Sequence, residues 1–387
     1  MLTAVAFGLL LLQSPDLNSV VFVHSPSGVI GVAETKKVRK SISSRPLEGV
    51  PVGDTPEIVR RFYGISRDKG SKTIAVVIPF HYPNVSADLD RFSHQFTLRK
   101  CNKKNRCLRV IETTGISCTW AREAALSLQW AHAIAPRAHL LLVEAASAGP
   151  QDLFPAIARA AFEVIHAGGG EVVLPWTLCG SGICERPNDR QRYDQYFIDG
   201  VVYFAATGDE DGTPTYPSTS SKVVAVGGTI PDDKMGDAEV GWEHGGGGQS
   251  KYVPKPSFQM GVENMPNDAR YTPDIGVSAR TVAVYFTSPC PGQISSGWQA
   301  FQGGTSAAAP IAAGLANVSG RFNSSAQAEL ANIYGNRNNA ARIRDITLGS
   351  SGDNAAEKGY DTVTGVGAPV GTDFDAPPRI SKWPKKE

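Results

Sequence analysis

The run Gly303-Gly304-Thr305-Ser306-Ala307-Ala308-Ala309-Pro310 puts a serine where a nucleophile could work. Two glycines permit a tight turn with backbone angles closed to other residues. The small residues after them read as a helix start, with Pro310 tolerable only near the first turn. Ser306 would then stand at a helix N-terminus, where free backbone N–H groups can stabilise an oxyanion. Gly-Thr-Ser alone would fit a capping serine equally well. The longer run, entering an Ala- and Gly-rich helix, favours the nucleophile.

A serine needs a base. The chain has 7 His, and none stands in the helix-start context that a Ser-His-Asp order of the subtilisin type would require. His132 and His139 flank a helix end and a strand, and read as structural. The alternative base lies in the helix-like stretch "TWAREAALSLQWAHAIAP", where Glu123 is the carboxylate. Glu123 and Ser127 share one helix face at four-residue spacing.

The elements that must position these residues alternate between strand and helix. Apolar strand runs appear at Thr73–Ile78, Leu108–Ile111, Leu140–Glu144, Glu171–Leu174, Val201–Ala205, Val223–Val226 and Thr281–Phe286. Helical patterns lie between several of them, at Ser86–Phe96, Trp120–Ile134, Gln151–His166 and Thr305–Val318. This alternation predicts an α/β fold with a mainly parallel central sheet and helices on both faces. Nearly continuous apolar strands such as "LLLVEA" say the same. Chemistry in such a fold gathers beyond the C-terminal strand ends.

Composition sets further bounds. The formal net charge is +1 over 387 residues, which gives no general pull toward nucleic acid or an anionic membrane. No stretch approaches the roughly 20 apolar residues of a membrane span. Residues 1–53 read as a leader or arm, whose apolar run from Ala4 to Leu12 is only a weak signal-peptide pattern. Six Cys (Cys101, Cys107, Cys118, Cys179, Cys184, Cys290) are an even number. Cys101/Cys107 and Cys179/Cys184 are short-loop pairs without metal-finger spacing, and suit disulfides in an oxidising, extracytoplasmic compartment. Sequons at Asn84, Asn317 and Asn323 are compatible with secretion.

Several ordered segments together resemble the sedolisins, the serine-carboxyl peptidases of subtilisin-like fold. Glu123-Ala124-Ala125-Leu126-Ser127 is similar to the family's Glu-x-x-Leu-Asp, and a "WAHAIAP"-like run follows in both. "TPEIVRRFYG", "TIAVVI", "VVYFAATGDEDG", "YTPDIGVSA" and "DITLGSSGDNAAEKGYDTVTGVGAP" resemble other family segments in order. The match covers residues 54–372, leaving 373–387 as a basic tail.

The resemblance implies a monomeric, secreted serine-type endopeptidase acting on protein or peptide substrates at acidic pH. Ser306 would attack the scissile carbonyl, with Glu123 as general base and acid. Asp209, protonated, would donate to the oxyanion, its pKa raised by neighbouring Glu210 and Asp211. Trp176, Thr177 and Gly304 would line the substrate cleft. One structural Ca²⁺ would be held by the side chains of Asp345 and Asp361 and the carbonyls of Ile346, Glu357 and Gly359.

The sequence also departs from the family. Ser127 stands where the family has Asp. Its hydroxyl can donate to Glu123 but cannot share a proton as a second acid does, and donation lowers the Glu pKa. Pro79 stands where many members have a supporting Glu. Pro175-Trp176-Thr177 replaces a Ser-x-Gly, and Asp211 replaces a Gly. Residues 1–53 are too short for the family's prosegment. These changes leave a second reading open: a catalytically inactive relative that binds peptides or proteins through the same cleft.

Overall fold

A computed structural model describes residues 23–24, 50–65, 68–180, 182–231 and 238–378. Its centre is one sheet of eight strands. From edge to edge it runs Ile275–Ser278, Val224–Pro231, Val202–Ala206, Gly170–Leu174, Thr73–Pro79, His139–Ala145, Leu108–Ile111, all parallel. Glu239–Gly241 adds an antiparallel pair on Val224–Pro231. Thr73–Pro79 is buried along its whole length, because helices cover both faces. The helices Val85–Gln95, Cys118–Ile134 and Thr305–Ser319 pack together on one face, and Pro150–His166 covers the other. The winding direction reverses between Thr73–Pro79 and Gly170–Leu174, which places a crevice at the C-terminal ends of those strands.

The predicted strand at Thr281–Phe286 is not part of this sheet. Val282–Phe286 forms an antiparallel hairpin with Gly297–Phe301. The edge position belongs instead to Ile275–Ser278, four residues just after Pro273. So short a run, containing Gly276, carries too little period to be read as a strand. The folded body also continues past residue 372, since Phe374 and Asp375 are fully buried. The "SKWPKKE" end lies outside the described residues, as do residues 1–22 and 25–49 of the arm 1–53. No described helix is long and apolar enough to cross a membrane.

All six cysteines are paired, as Cys101–Cys107, Cys118–Cys290 and Cys179–Cys184. Asn317, one of the sequons, is buried; its amide donates to Glu171 Oε2 at 2.8 Å and its Oδ1 accepts from Ser71 N at 3.1 Å. It is a core residue, since a glycan needs surface.

Candidate active site

The nucleophile turn is built from its glycines. Gly303 has φ 44° and Gly304 φ 117°. A Cβ on Gly303 would lie 1.8 Å from the Ala279 carbonyl oxygen, so only glycine fits. Gly304 N donates to that same oxygen at 3.0 Å. The helix begins at Thr305 and places Ser306 in its first turn, 0% exposed. Ser306 Oγ has no hydrogen-bond partner among the described residues. Pro310 lies deeper in the helix than the first turn. Lacking an N–H, it leaves the Ser306 carbonyl without its usual i+4 donor.

Asp209 follows the strand Val202–Ala206 and reaches the head of that helix. Its Oδ1 accepts from Thr305 N at 3.0 Å and from Thr305 Oγ1 at 2.9 Å, while Gly208 N donates to Thr305 Oγ1 at 3.0 Å. Both bonds fall on Oδ1, so a proton held by this carboxyl sits on Oδ2. Burial pushes the Asp209 carboxyl up to about 7 against the lowering effect of Thr305; the charges of Glu123 and Glu210 add to the rise. Asp211, expected to contribute, instead pairs with His244 Nδ1 at 2.9 Å.

Glu123 and Ser127 are both 0% exposed on the helix Cys118–Ile134. Two contacts orient this helix against the nucleophile helix. A Cβ on Gly314 would lie 2.7 Å from Ile134 Cβ. Gly70 is wedged between Asn317 Oδ1 and Ala135 Cβ. The C-terminal halves therefore meet, and the two helices pack against each other, with Glu123 and Ser306 both in the halves nearer their starts. Glu123 is close enough there for its charge to act on Asp209.

The bond expected from Ser127 to Glu123 is not made, because Ser127 Oγ is buried without a hydrogen-bond partner. Cβ atoms four residues apart on a helix are about 5–6 Å from each other, and a serine hydroxyl ends one atom beyond Cβ. The longer Asp of the family pattern would carry its polar atoms closer to the Glu123 carboxyl than the Ser hydroxyl does.

Trp176 is not a cleft residue. It is fully buried, donates Nε1 to the Val77 carbonyl at 2.8 Å and meets Phe154 edge-on. Thr177 is buried too, its methyl under the Gly208 backbone, so it supports the Asp209 loop from below. Gly304 is buried in the turn itself. The cleft that opens beside Asp209 has a volume of about 730 Å³, with Gly303, Asp54, Arg280, Trp242 and His244 in its walls. Sequence reading missed the last four; they come from three separate segments, around 54, 242–244 and 280. It also missed the pair His81 Nδ1–Glu144 Oε2 at 2.7 Å. A carboxylate closing the apolar strand "LLLVEA" was its one signal.

The C-terminal loop gathers the other acids. Asp345 accepts from Gly359 N through both oxygens, at 3.2 and 3.0 Å. Asp361 accepts from Val363 N at 2.8 Å, Thr364 N at 2.7 Å and Glu357 N at 3.3 Å. The two carboxylates thus converge on the segment 357–361. Burial pushes the Asp361 carboxyl up to about 6 against the bonds from Thr364, Val363 and Glu357. Ile346 is buried, while Glu357 and Gly359 are exposed.

No family model matches the sequence. A stretch of 114 residues is 32% identical to tripeptidyl-peptidase sed4 of Aspergillus fumigatus. It covers 27% of this chain and 18% of that protein, so the match spans less than a fifth of the relative's length. Among solved structures, the serine-carboxyl proteinase sedolisin of Pseudomonas superposes with a TM-score of 0.69, at 22% identity, over 85% of this chain and 98% of that one. That structure holds two molecules of pseudo-iodotyrostatin. With a parallel sheet covered on both faces and this superposition over nearly all of sedolisin, the chain shares the fold of sedolisin.

Proposed function

We propose that the chain is a secreted serine-carboxyl endopeptidase that hydrolyses peptide bonds at acidic pH, slowed by the serine at position 127. The observation that carries this is Asp209. Its carboxyl is fixed by Thr305 at the head of the Ser306 helix and stays protonated up to about pH 7. A protonated Asp209 donates through Oδ2 to a developing oxyanion, and that donor is lost as pH rises through its pKa. Glu123, on the adjoining helix, takes the Ser306 proton and returns it to the leaving amine. Catalytic hydrogen bonds are often long in the free enzyme and tighten with substrate bound, which accommodates the unpartnered Ser306 hydroxyl. Three disulfides fit an oxidising compartment.

A second reading is favoured by one observation: Ser306 and Ser127 are both sealed from solvent with unpartnered hydroxyls. On that reading the chain binds peptides in the cleft beside Asp209 without cutting them. The full chain, purified with calcium, should degrade an unfolded protein between pH 3 and 6 and slow above pH 7. Ser306→Ala should abolish that cleavage. Equal backgrounds from both proteins would leave only the binding reading.

The Asp345–Asp361 loop is proposed to hold one structural Ca²⁺. Its donors are hard oxygens, two carboxylates and the carbonyls of Ile346, Glu357 and Gly359, the set this ion prefers. Bound Ca²⁺ would supply the positive charge that Asp361 lacks. A ligand present at a hundred times its dissociation constant stabilises the fold by about 2.7 kcal/mol. Chelation should therefore lower Tm by several degrees, and Asp361→Asn should remove the response. A Tm indifferent to chelator and to added Ca²⁺ would overturn the site.

A further inference from the structure

The helix that carries Glu123 lacks the usual devices at its start. Ser117 makes no side-chain cap bond, and no acidic residue lies in the first turn. Its first residue is held covalently instead, by the Cys118–Cys290 bridge. Cys290 lies in the loop between Val282–Phe286 and Gly297–Phe301, and the outgoing strand of that hairpin runs straight into the turn presenting Ser306.

Other contacts join the same two parts. The Gln129 amide exchanges hydrogen bonds with the Tyr285 backbone at 2.7 and 2.9 Å. Trp130 Nε1 donates to the Ala283 carbonyl at 3.1 Å. The Arg122 guanidinium lies 5.4 Å from the Phe301 ring centroid. The C-terminal half of the helix is thus registered on the incoming strand by Gln129 and Trp130. Its N-terminal end is registered by the bridge and by Arg122. Glu123 lies between these two anchorages.

We infer that Cys118–Cys290 is a positioning cross-link: it sets Glu123 relative to Ser306 by tying the start of the base helix to the hairpin that feeds the nucleophile turn. This rests on the peptidase reading of the site. The other two bridges differ in kind. Cys101–Cys107 and Cys179–Cys184 join residues 6 and 5 apart, so each staples a single loop. Cys118–Cys290 joins residues 172 apart.

The test is made on the full chain with Cys118→Ser and Cys290→Ser combined, so that no lone thiol remains. Cys101→Ser with Cys107→Ser is the control. Each protein is assayed equally far below its own Tm, which removes simple loss of stability from the comparison. The site bridge variant should lose at least tenfold in kcat with KM within twofold, while the control keeps kcat within twofold. Backbone hydrogen exchange supplies a readout that needs no turnover. In the site bridge variant it should quicken at 118–127 and at 302–306. A native-like kcat, or quickened exchange confined to 287–296, would overturn the inference. If the native chain fails to cut peptides while the site bridge variant shows the expected exchange pattern, the peptidase reading falls and the cross-link stands.

Discussion

Ser127→Asp is expected to raise kcat on an unfolded protein by roughly a hundredfold to ten-thousandfold, with little change in KM. The upper figure is the cost, on the order of 10⁴, of losing the orienting carboxylate in a serine-protease triad. Ser127 presents a hydroxyl without a hydrogen-bond partner, and Glu123 on the same helix is fully buried. An Asp at 127 is long enough to reach the Glu123 carboxyl and share a proton with it. Two adjacent carboxyls cannot both ionise in a buried site, so one pKa rises. The added atoms enter a packed helix interface and cost about 1–3 kcal/mol of stability, so Tm should fall slightly while turnover rises. The pH profile should acquire the two-limbed form of a coupled pair. If Ser306→Ala abolishes cleavage while Ser127→Asp leaves it unchanged, the account of position 127 is wrong.

Raising the pH from 4 to 8 is expected to lower Tm by on the order of 10 °C, a shift that follows from a few kcal/mol in a domain this large. The cause lies at the end of the sheet away from the active site. Glu171, Glu329 and Asp375 are all buried there, from a strand, a helix and the C-terminal segment. Burial pushes Glu171 up to about 8 against its bond from Asn317, and Asp375 up to about 6 against Arg321 and Ser319. Burial, then the Asp375 and Glu171 charges, holds Glu329 well above the usual carboxylate range. Lys72 and Arg321 are the basic groups facing them.

Each acid has a folded pKa above its unfolded one. Their stabilisation is therefore fully present below about pH 4, where unfolded carboxyls are also protonated. It is lost as pH rises through the folded values, because the unfolded chain then releases protons that the folded one must keep. Glu171→Gln keeps an acceptor for Asn317 and removes the charge, so it should flatten the decline between pH 5 and 8. A Tm that is level or rising over that range would refute the assignment.

Much of the site was legible in local sequence. "GGTSAAAP" determined a glycine turn into a small-residue helix, because a Cβ at Gly303 has no room and Gly314 must meet Ile134 closely. Long apolar runs determined the parallel strands, since burial on both faces leaves no polar side to encode. Glu123 was readable as the carboxylate of a strongly patterned helix.

Other features depended on which segments meet. The Val282–Phe286 strand has the same apolar letters as the sheet strands, yet pairs with Gly297–Phe301 outside the sheet. Trp176 looked available to a substrate and faces the core. Ser127 looked able to bond Glu123, yet its hydroxyl is buried without a partner. Asn317 and Asp375 looked like surface residues and are interior. Periodicity along the chain reports which face of an element is apolar. The partner of a buried polar atom is decided by distances between segments remote in sequence, and only the tertiary structure sets those.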